Sequence, residues 1–167
     1  MASHLNWRSA YARQALVDLE AREVLLESPN LPRCQELHFL QMACEKVSKA
    51  YLLSKPGADL KSLRSSHVCI AKTLPLIAQV QFTKNKSHTD RSWVLRAIEG
   101  LSRKIELLSP AVNDGGKQPA NCEYPWEAPN GTIRIPCQHN FNLDILHDPA
   151  GPHLLKVVYT AAKELAA

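Results

Sequence analysis

Arg64 stands three residues before His67, and the pair sits where a helical run opens. Backbone N–H groups point outward at such a start, so Arg64 and His67 could meet a phosphate or nucleotide there. The same residues equally suit capping and packing, with Ser66 as the N-cap. Lys46 and Lys49 lie within the strongest helical pattern of the chain. Lys46 falls in the row Phe39, Ala43, Lys46, Ala50, Leu53. An ammonium in that row must snorkel or meet a carboxylate, either Glu45 or one on the preceding helix. A nucleotide-facing role for Lys46 and Lys49 is the other reading. Cys122, Cys137, His139, His147 and His153 match no standard zinc spacing, so neither metal nor cofactor is expected. Walker, dinucleotide-glycine, nucleophile-elbow and metalloprotease motifs are absent, and the basic helices lack the composition of a DNA-reading helix-turn-helix.

Helices must position these side chains. Leu5, Ala12, Leu16, Leu19 and Leu26 recur on one stripe of a first helix, which Ser28-Pro29-Asn30-Leu31-Pro32 stops. From Arg33 to Leu53, Leu37, Leu40, Cys44, Val47 and Tyr51 repeat as 3, 4, 3, 4 beside a second apolar row. Two rows predict a central helix with neighbours on two sides, and Glu45 to Lys49 is a favourable i,i+4 pair. A linker spans Ala58 to Ser65. A third helix follows Ser66-His67 through Ile70, Leu74 and Ile77, with a kink or break expected at Pro75. Thr83 to Thr89 reads as a loop. A fourth helix runs from Asp90 or Ser92 to Ser109-Pro110 on Val94, Ile98, Leu101, Ile105 and Leu108. Pro129-Asn130-Gly131-Thr132 beside Ile133 and Ile135 predicts a small hairpin or tight turn. A last helix starts near Pro152 and buries Leu154, Val158, Ala161 and Leu165. Short links favour antiparallel neighbours. The expected fold is an all-α, antiparallel four-to-five-helix up-and-down bundle in a single domain, 1–167. Its core is 5–110, its irregular arm 111–148 and its C-terminal docking helix 152–166.

The 167 residues carry 45% apolar and 22% charged side chains, an ordinary globular mix able to bury a core. There is no apolar run long enough for a membrane span. The N-terminus lacks the build of a secretory signal, and five cysteines without a CxxC pair read as reduced thiols of a cytoplasmic protein. Residues 46–104 hold twelve basic and three acidic side chains, a local +9 against −5 for the remainder. Such a segment could attract phosphate or an acidic partner, or it could simply be solvated helix faces.

Gln41-Met42-Ala43-Cys44-Glu45-Lys46-Val47-Ser48-Lys49-Ala50-Tyr51-Leu52-Leu53 resembles the second-helix signature of the HEPN family (higher eukaryotes and prokaryotes nucleotide-binding domains). Ser66-His67-Val68 resembles the family's Thr-His-Asp/Asn-Leu element, with Val68 in place of the usual polar residue. Tyr124-Pro125-Trp126 resembles the Tyr-Pro element after the fourth helix. The likeness covers roughly residues 5–126. It implies a helical bundle, often a homodimer. Some members pair with a nucleotidyltransferase-type protein, and others are metal-independent ribonucleases of toxin–antitoxin or defence systems. The family's ribonuclease motif is an Arg followed after four to six residues by His. The His would serve as acid or base, and the Arg would hold the scissile phosphate. Arg33 to His38 has the spacing but opens the second helix. Arg134 to His139 has it within the arm, across Pro136. Arg134 and His139 are therefore the only catalytic candidates, of non-standard kind, and Lys46, Lys49, Arg64 and His67 are the nucleotide- or RNA-binding candidates. Tyr124 and Trp126 are expected to plug the arm onto the bundle rather than stack on bases. The expected function is a non-catalytic binding module for nucleotide, RNA or a nucleotidyltransferase-type partner. The alternatives are a metal-independent ribonuclease and a structural adaptor.

Overall fold

The computed structural model describes residues 4–28, 30–84, 92–112, 117, 119–143 and 149–167. It contains helices α1 (His4–Leu26), α2 (Arg33–Leu53), α3 (Leu60–Ser65), α4 (Ile70–Lys84), α5 (Ser92–Glu106) and α6 (Gly151–Ala166). Strands β1 (Trp126–Glu127) and β2 (Ile133–Arg134) form an antiparallel hairpin, Trp126 opposite Arg134 and Glu127 opposite Ile133. The chain is thus an all-α bundle with an irregular arm. No described helix is long and apolar enough to cross a membrane.

Helix α2 is the axle. It packs against α1, α4, α5 and α6. Leu37, Leu40, Cys44 and Val47 are buried on one row, and Ala43, Ala50 and Leu53 on the other. Antiparallel neighbours follow from cross-helix contacts. Asp18 meets Lys46 and Arg22 meets Glu36 between α1 and α2. The Ala71 N–H reaches Glu106 Oε1 at 3.1 Å between α4 and α5. The Ser9 hydroxyl at the start of α1 donates to the Ala166 carbonyl at the end of α6.

Several expectations need correcting. Leu5 and Leu26 are exposed (63% and 39%) and do not belong to the α1 core stripe. The buried face of α1 is Ala12, Ala15, Asp18, Leu19 and Arg22. Two alanines let the backbones of α1 and α2 approach closely, and two opposite-charge pairs fill the rest of the seam. The basic linker contains α3, whose start is capped by the Asp59 carboxylate accepting the Lys61 N–H at 3.0 Å. Ser66 does not cap α4; it ends α3, and Glu106 of α5 supplies an acceptor at the start of α4. Helix α4 runs unbroken through Pro75, in its second turn, and continues past Thr83 to Lys84. Buried Leu74, Ile77 and Ala78 hold that stretch onto the core. The rest of the expected loop, 85–89, and the alternative fourth-helix start at Asp90 lie outside the described residues.

Helix α6 is not an accessory docked on a finished core. Leu154, Val157, Val158, Ala161 and Ala162 are buried in the same apolar cluster as the other helices. The buried Gln81 amide donates to the Val157 carbonyl at 3.1 Å, tying α6 to α4. The hairpin forms as expected. Gly131 takes φ +77°, and its N–H bonds the Ala128 carbonyl at 2.8 Å. All five cysteines are unpaired, and four are buried.

Candidate functional site

The six nominated side chains fall in different places. The Lys46 ammonium meets the Asp18 carboxylate of α1, as the burial argument required. Lys49, with only 5% of its side chain exposed, bonds Glu45 at 2.7 Å. Glu45 also accepts from the Gln41 amide at 3.0 Å and lies 3.3 Å from His67 Nδ1. Burial pushes the Glu45 carboxyl up. The hydrogen bond and charge of Lys49, the Gln41 amide and His67 outweigh this and hold it below the usual value. Lys46 and Lys49 are thus each paired with a carboxylate, the contact that the polar-bridge reading of that row expects.

His67 is about half exposed at the edge of this network. Arg64 does not join it; its guanidinium lies over the Trp7 ring, 5.0 Å from the centroid. Elsewhere in the positive segment Lys84 pairs with Glu164 and Arg103 with Glu99, and both cations stay more than half exposed. Of the segment's ten described cations, Lys46 and Lys49 are drawn inward by carboxylates, and the other eight are exposed.

The arm builds a second location. Its start is fastened to the end of α5, where Cys122 N–H bonds the Leu108 carbonyl at 3.0 Å. The buried Asn121 side chain accepts the N–H groups of Glu123 and Tyr124 at 3.0 and 2.7 Å. That turn leads into the hairpin. A 3-10 turn, Pro136–Gln138, then packs against α2. Cys122 and Leu143 enter the core and Pro136 is buried, so these residues, not Tyr124, plug the arm. Tyr124 is 60% exposed. Trp126 stays half-buried, edge-on to His139 at 4.9 Å, and His139 is edge-on to Phe141 at 4.7 Å.

Between arm and helix lies a cleft of about 610 Å³. Its polar lining is Arg33, Gln138, His139, Asn140 and Asn142; Leu37, Phe141 and Leu143 supply apolar surface. Arg33, at the first position of α2, donates to the Leu143 carbonyl at 3.4 Å. Asn142 holds φ +48°, uncommon for a residue with a side chain, and its N–H bonds Asn140 Oδ1 at 3.0 Å. On the other side of His139, a cavity of about 120 Å³ is lined by Ile133, Arg134, Ile135, Gln138 and His139. His139 therefore belongs to both spaces, with Arg33 at one and Arg134 at the other. Burial lowers the His139 pKa, and the nearby Arg134 charge lowers it further, which favours the neutral imidazole at pH 7.

The structure thus brings Arg134 and His139 together and adds Arg33, Gln138, Asn140 and Phe141, which the sequence reading did not select. Arg33 was visible in the Arg33–His38 match. His38 itself stands apart from the cleft lining, 3.6 Å from Glu123. Among the described residues no His, Cys, Asp and Glu side chains gather as a metal site, and His147 lies outside them. Compared with protein-family models, curated proteins and solved structures, the chain finds no match in any of the three.

Proposed function

We propose that the chain is a HEPN-like, non-catalytic binding module that holds a nucleotide or a single-stranded RNA segment in the arm cleft. The observation that carries this reading is the composition of the cleft. Its volume of about 610 Å³ falls in the ~300–1,000 Å³ range of small-molecule sites. Gln138 and Asn140 offer amides to a base edge, Phe141 offers an apolar ring, and Arg33, which donates to the Leu143 carbonyl, brings positive charge to the cleft wall. The second-helix signature and the helical bundle support the family side of the reading.

Fluorescence anisotropy of a labelled hexauridine RNA, with AMP as competitor, tests it. Binding should weaken steadily with added salt, and Arg33→Ala and Phe141→Ala should each weaken it about tenfold, one base-stacking or phosphate contact being worth ~1–3 kcal/mol. Flat titrations at low salt would refute the reading.

One observation favours a second reading, a metal-independent ribonuclease: Arg134 and His139 line the same small cavity, and His139 favours its neutral form. A neutral imidazole can take the 2′-hydroxyl proton while Arg134 holds the phosphate. Cleavage of RNA in EDTA, abolished by His139→Ala, would establish it. Intact RNA under the same conditions would remove it.

A further inference from the structure

A second recess lies between α1 and α6. The Ser9 contact with Ala166 sets these helices antiparallel, which brings Leu19, Arg22 and Glu23 of α1 opposite Leu155, Lys156 and Tyr159 of α6. The six residues enclose about 250 Å³, and none of them lines the arm cleft. Leu19 is buried and Leu155 half-buried, so each wall is partly apolar. Tyr159 is 43% exposed, and the Lys163 ammonium lies over its ring, 4.4 Å from the centroid.

Arg22 is the unusual member. Only 4% of its side chain is exposed, and Nη2 donates to Glu36 at 2.7 Å. Its Nε is sealed from solvent without a partner. Among the described residues Nη1 has no partner either, yet solvent reaches it, so it is the nitrogen that Arg22 turns to the groove. Buried polar groups are nearly always hydrogen-bonded, and an unspent guanidinium nitrogen beside apolar walls is a donor awaiting an acceptor. Lys156, on the opposite wall, is exposed and has no ion-pair partner among the described residues. Two cations thus face one small apolar space. The carboxylates of Glu36 and Glu23 offset part of this charge, so the groove suits one negative charge rather than two.

We infer that the groove between α1 and α6 is a binding site for a small monocarboxylate with a short apolar body. Arg22 Nη1 and Lys156 hold the carboxylate, and Leu19, Leu155 and the Tyr159 ring cover the body. The space is smaller than the ~300–1,000 Å³ of drug-sized sites, which restricts the occupant to a few carbons beyond its head. A carboxylate is preferred to a hydroxyl because hydrogen bonds to an ionised group are roughly twice as strong as neutral ones. A dianion would set its second charge against Glu23.

Amide NMR spectra of the full chain, titrated with isocaproate, test this. The amides of Leu19, Arg22, Leu155 and Tyr159 should shift and saturate together. Isohexanol, the same body without the charge, and methylsuccinate, a dianion, should each bind about tenfold more weakly, the loss of one charge-assisted contact. Lys156→Glu lies at an exposed position and should leave the fold intact while weakening isocaproate about tenfold. Arg22→Lys keeps a cation for Glu36 but lacks the second nitrogen; it should weaken binding similarly, with circular dichroism confirming that it folds. Amides at the groove that do not move with isocaproate would overturn the inference. So would isohexanol binding as well as isocaproate, or a titration that Lys156→Glu leaves unchanged.

Discussion

Replacing Lys49 by Met removes an ammonium that lies 2.7 Å from Glu45 in a seam where both side chains are over nine-tenths buried. The methionine fills much of the same volume, so the loss is chiefly electrostatic. Breaking one side of a buried pair costs ~3–5 kcal/mol, because the other charge stays buried without compensation. Gln41 and His67 still face Glu45, so the lower end, ~3 kcal/mol, is expected here. For a chain of this size that is a fall of about 6–12 °C in Tm. The pH dependence gives a second handle. In the wild type the Glu45 pKa is depressed, so its contribution to stability is present above the unfolded carboxylate pKa and lost as pH falls through the folded one. Without Lys49 the first cause, burial, dominates and the folded pKa rises above the unfolded value. The folded state then binds the extra proton, and the deficit of the variant should shrink from pH 7 towards pH 5. Adding Glu45→Gln to Lys49→Met removes the stranded charge and should recover most of the stability at pH 7. Urea unfolding at several pH values measures all of this. A Lys49→Met chain within ~0.5 kcal/mol of wild type at pH 7, the ordinary size of a surface substitution, would refute the reasoning. So would a double variant no better than the single one.

Three further outcomes follow from local geometry. Burial pushes the thiols of Cys44, Cys69 and Cys122 to about 12 and also raises Cys34, so a disulfide reagent at pH 8 should titrate one thiol quickly, Cys137, and all five only after unfolding. Glu106→Ala strips α4 of the carboxylate that receives the Ala71 N–H and should cost ~1.5–3 kcal/mol in urea unfolding, the range for a hydrogen bond to a charged group. Gly131→Ala meets nothing closer than Glu127 Oε1 at 3.9 Å, so only its φ of +77° is strained; a loss of ~1 kcal/mol is expected, with thermal unfolding as the readout.

The sequence made some of this structure plain because the information was local. The double apolar row of Arg33–Leu53 announces a central helix, and the Pro-Asn-Gly-Thr turn announces the hairpin. Lys46 in an apolar row demanded a carboxylate, and Asp18 of the first helix provides it. Other features carry no local mark. Apolar periodicity picked out Ala12, Leu16 and Leu19 of α1 but could not find Asp18 and Arg22, the charged members of its buried face. Helix α3 hid in a basic, polar stretch whose one signal was Asp59 before Leu60. The acceptor at the start of α4 comes from Glu106, thirty-five residues away, while Ser66 beside it was only a plausible decoy. The arm cleft is a long-range product. Arg33 and Leu143 are 110 residues apart, and no spacing in the chain relates them.

The seam between α1 and α2 also fixes how the two rods are indexed. Asp18 faces Lys46, and Arg22, one turn further along α1, faces Glu36, ten residues back along α2, so the sign alternates along the contact. A slide of one turn in one direction would bring Arg22 onto Lys46; a slide in the other would bring Asp18 onto Glu36. Both are like-charge collisions in a water-poor setting, where they cost far more than at a wet surface. The alanines that let the rods approach would tolerate several offsets equally well. The alternating charges act as a ratchet tooth, leaving a single offset in which the first and second helices can engage.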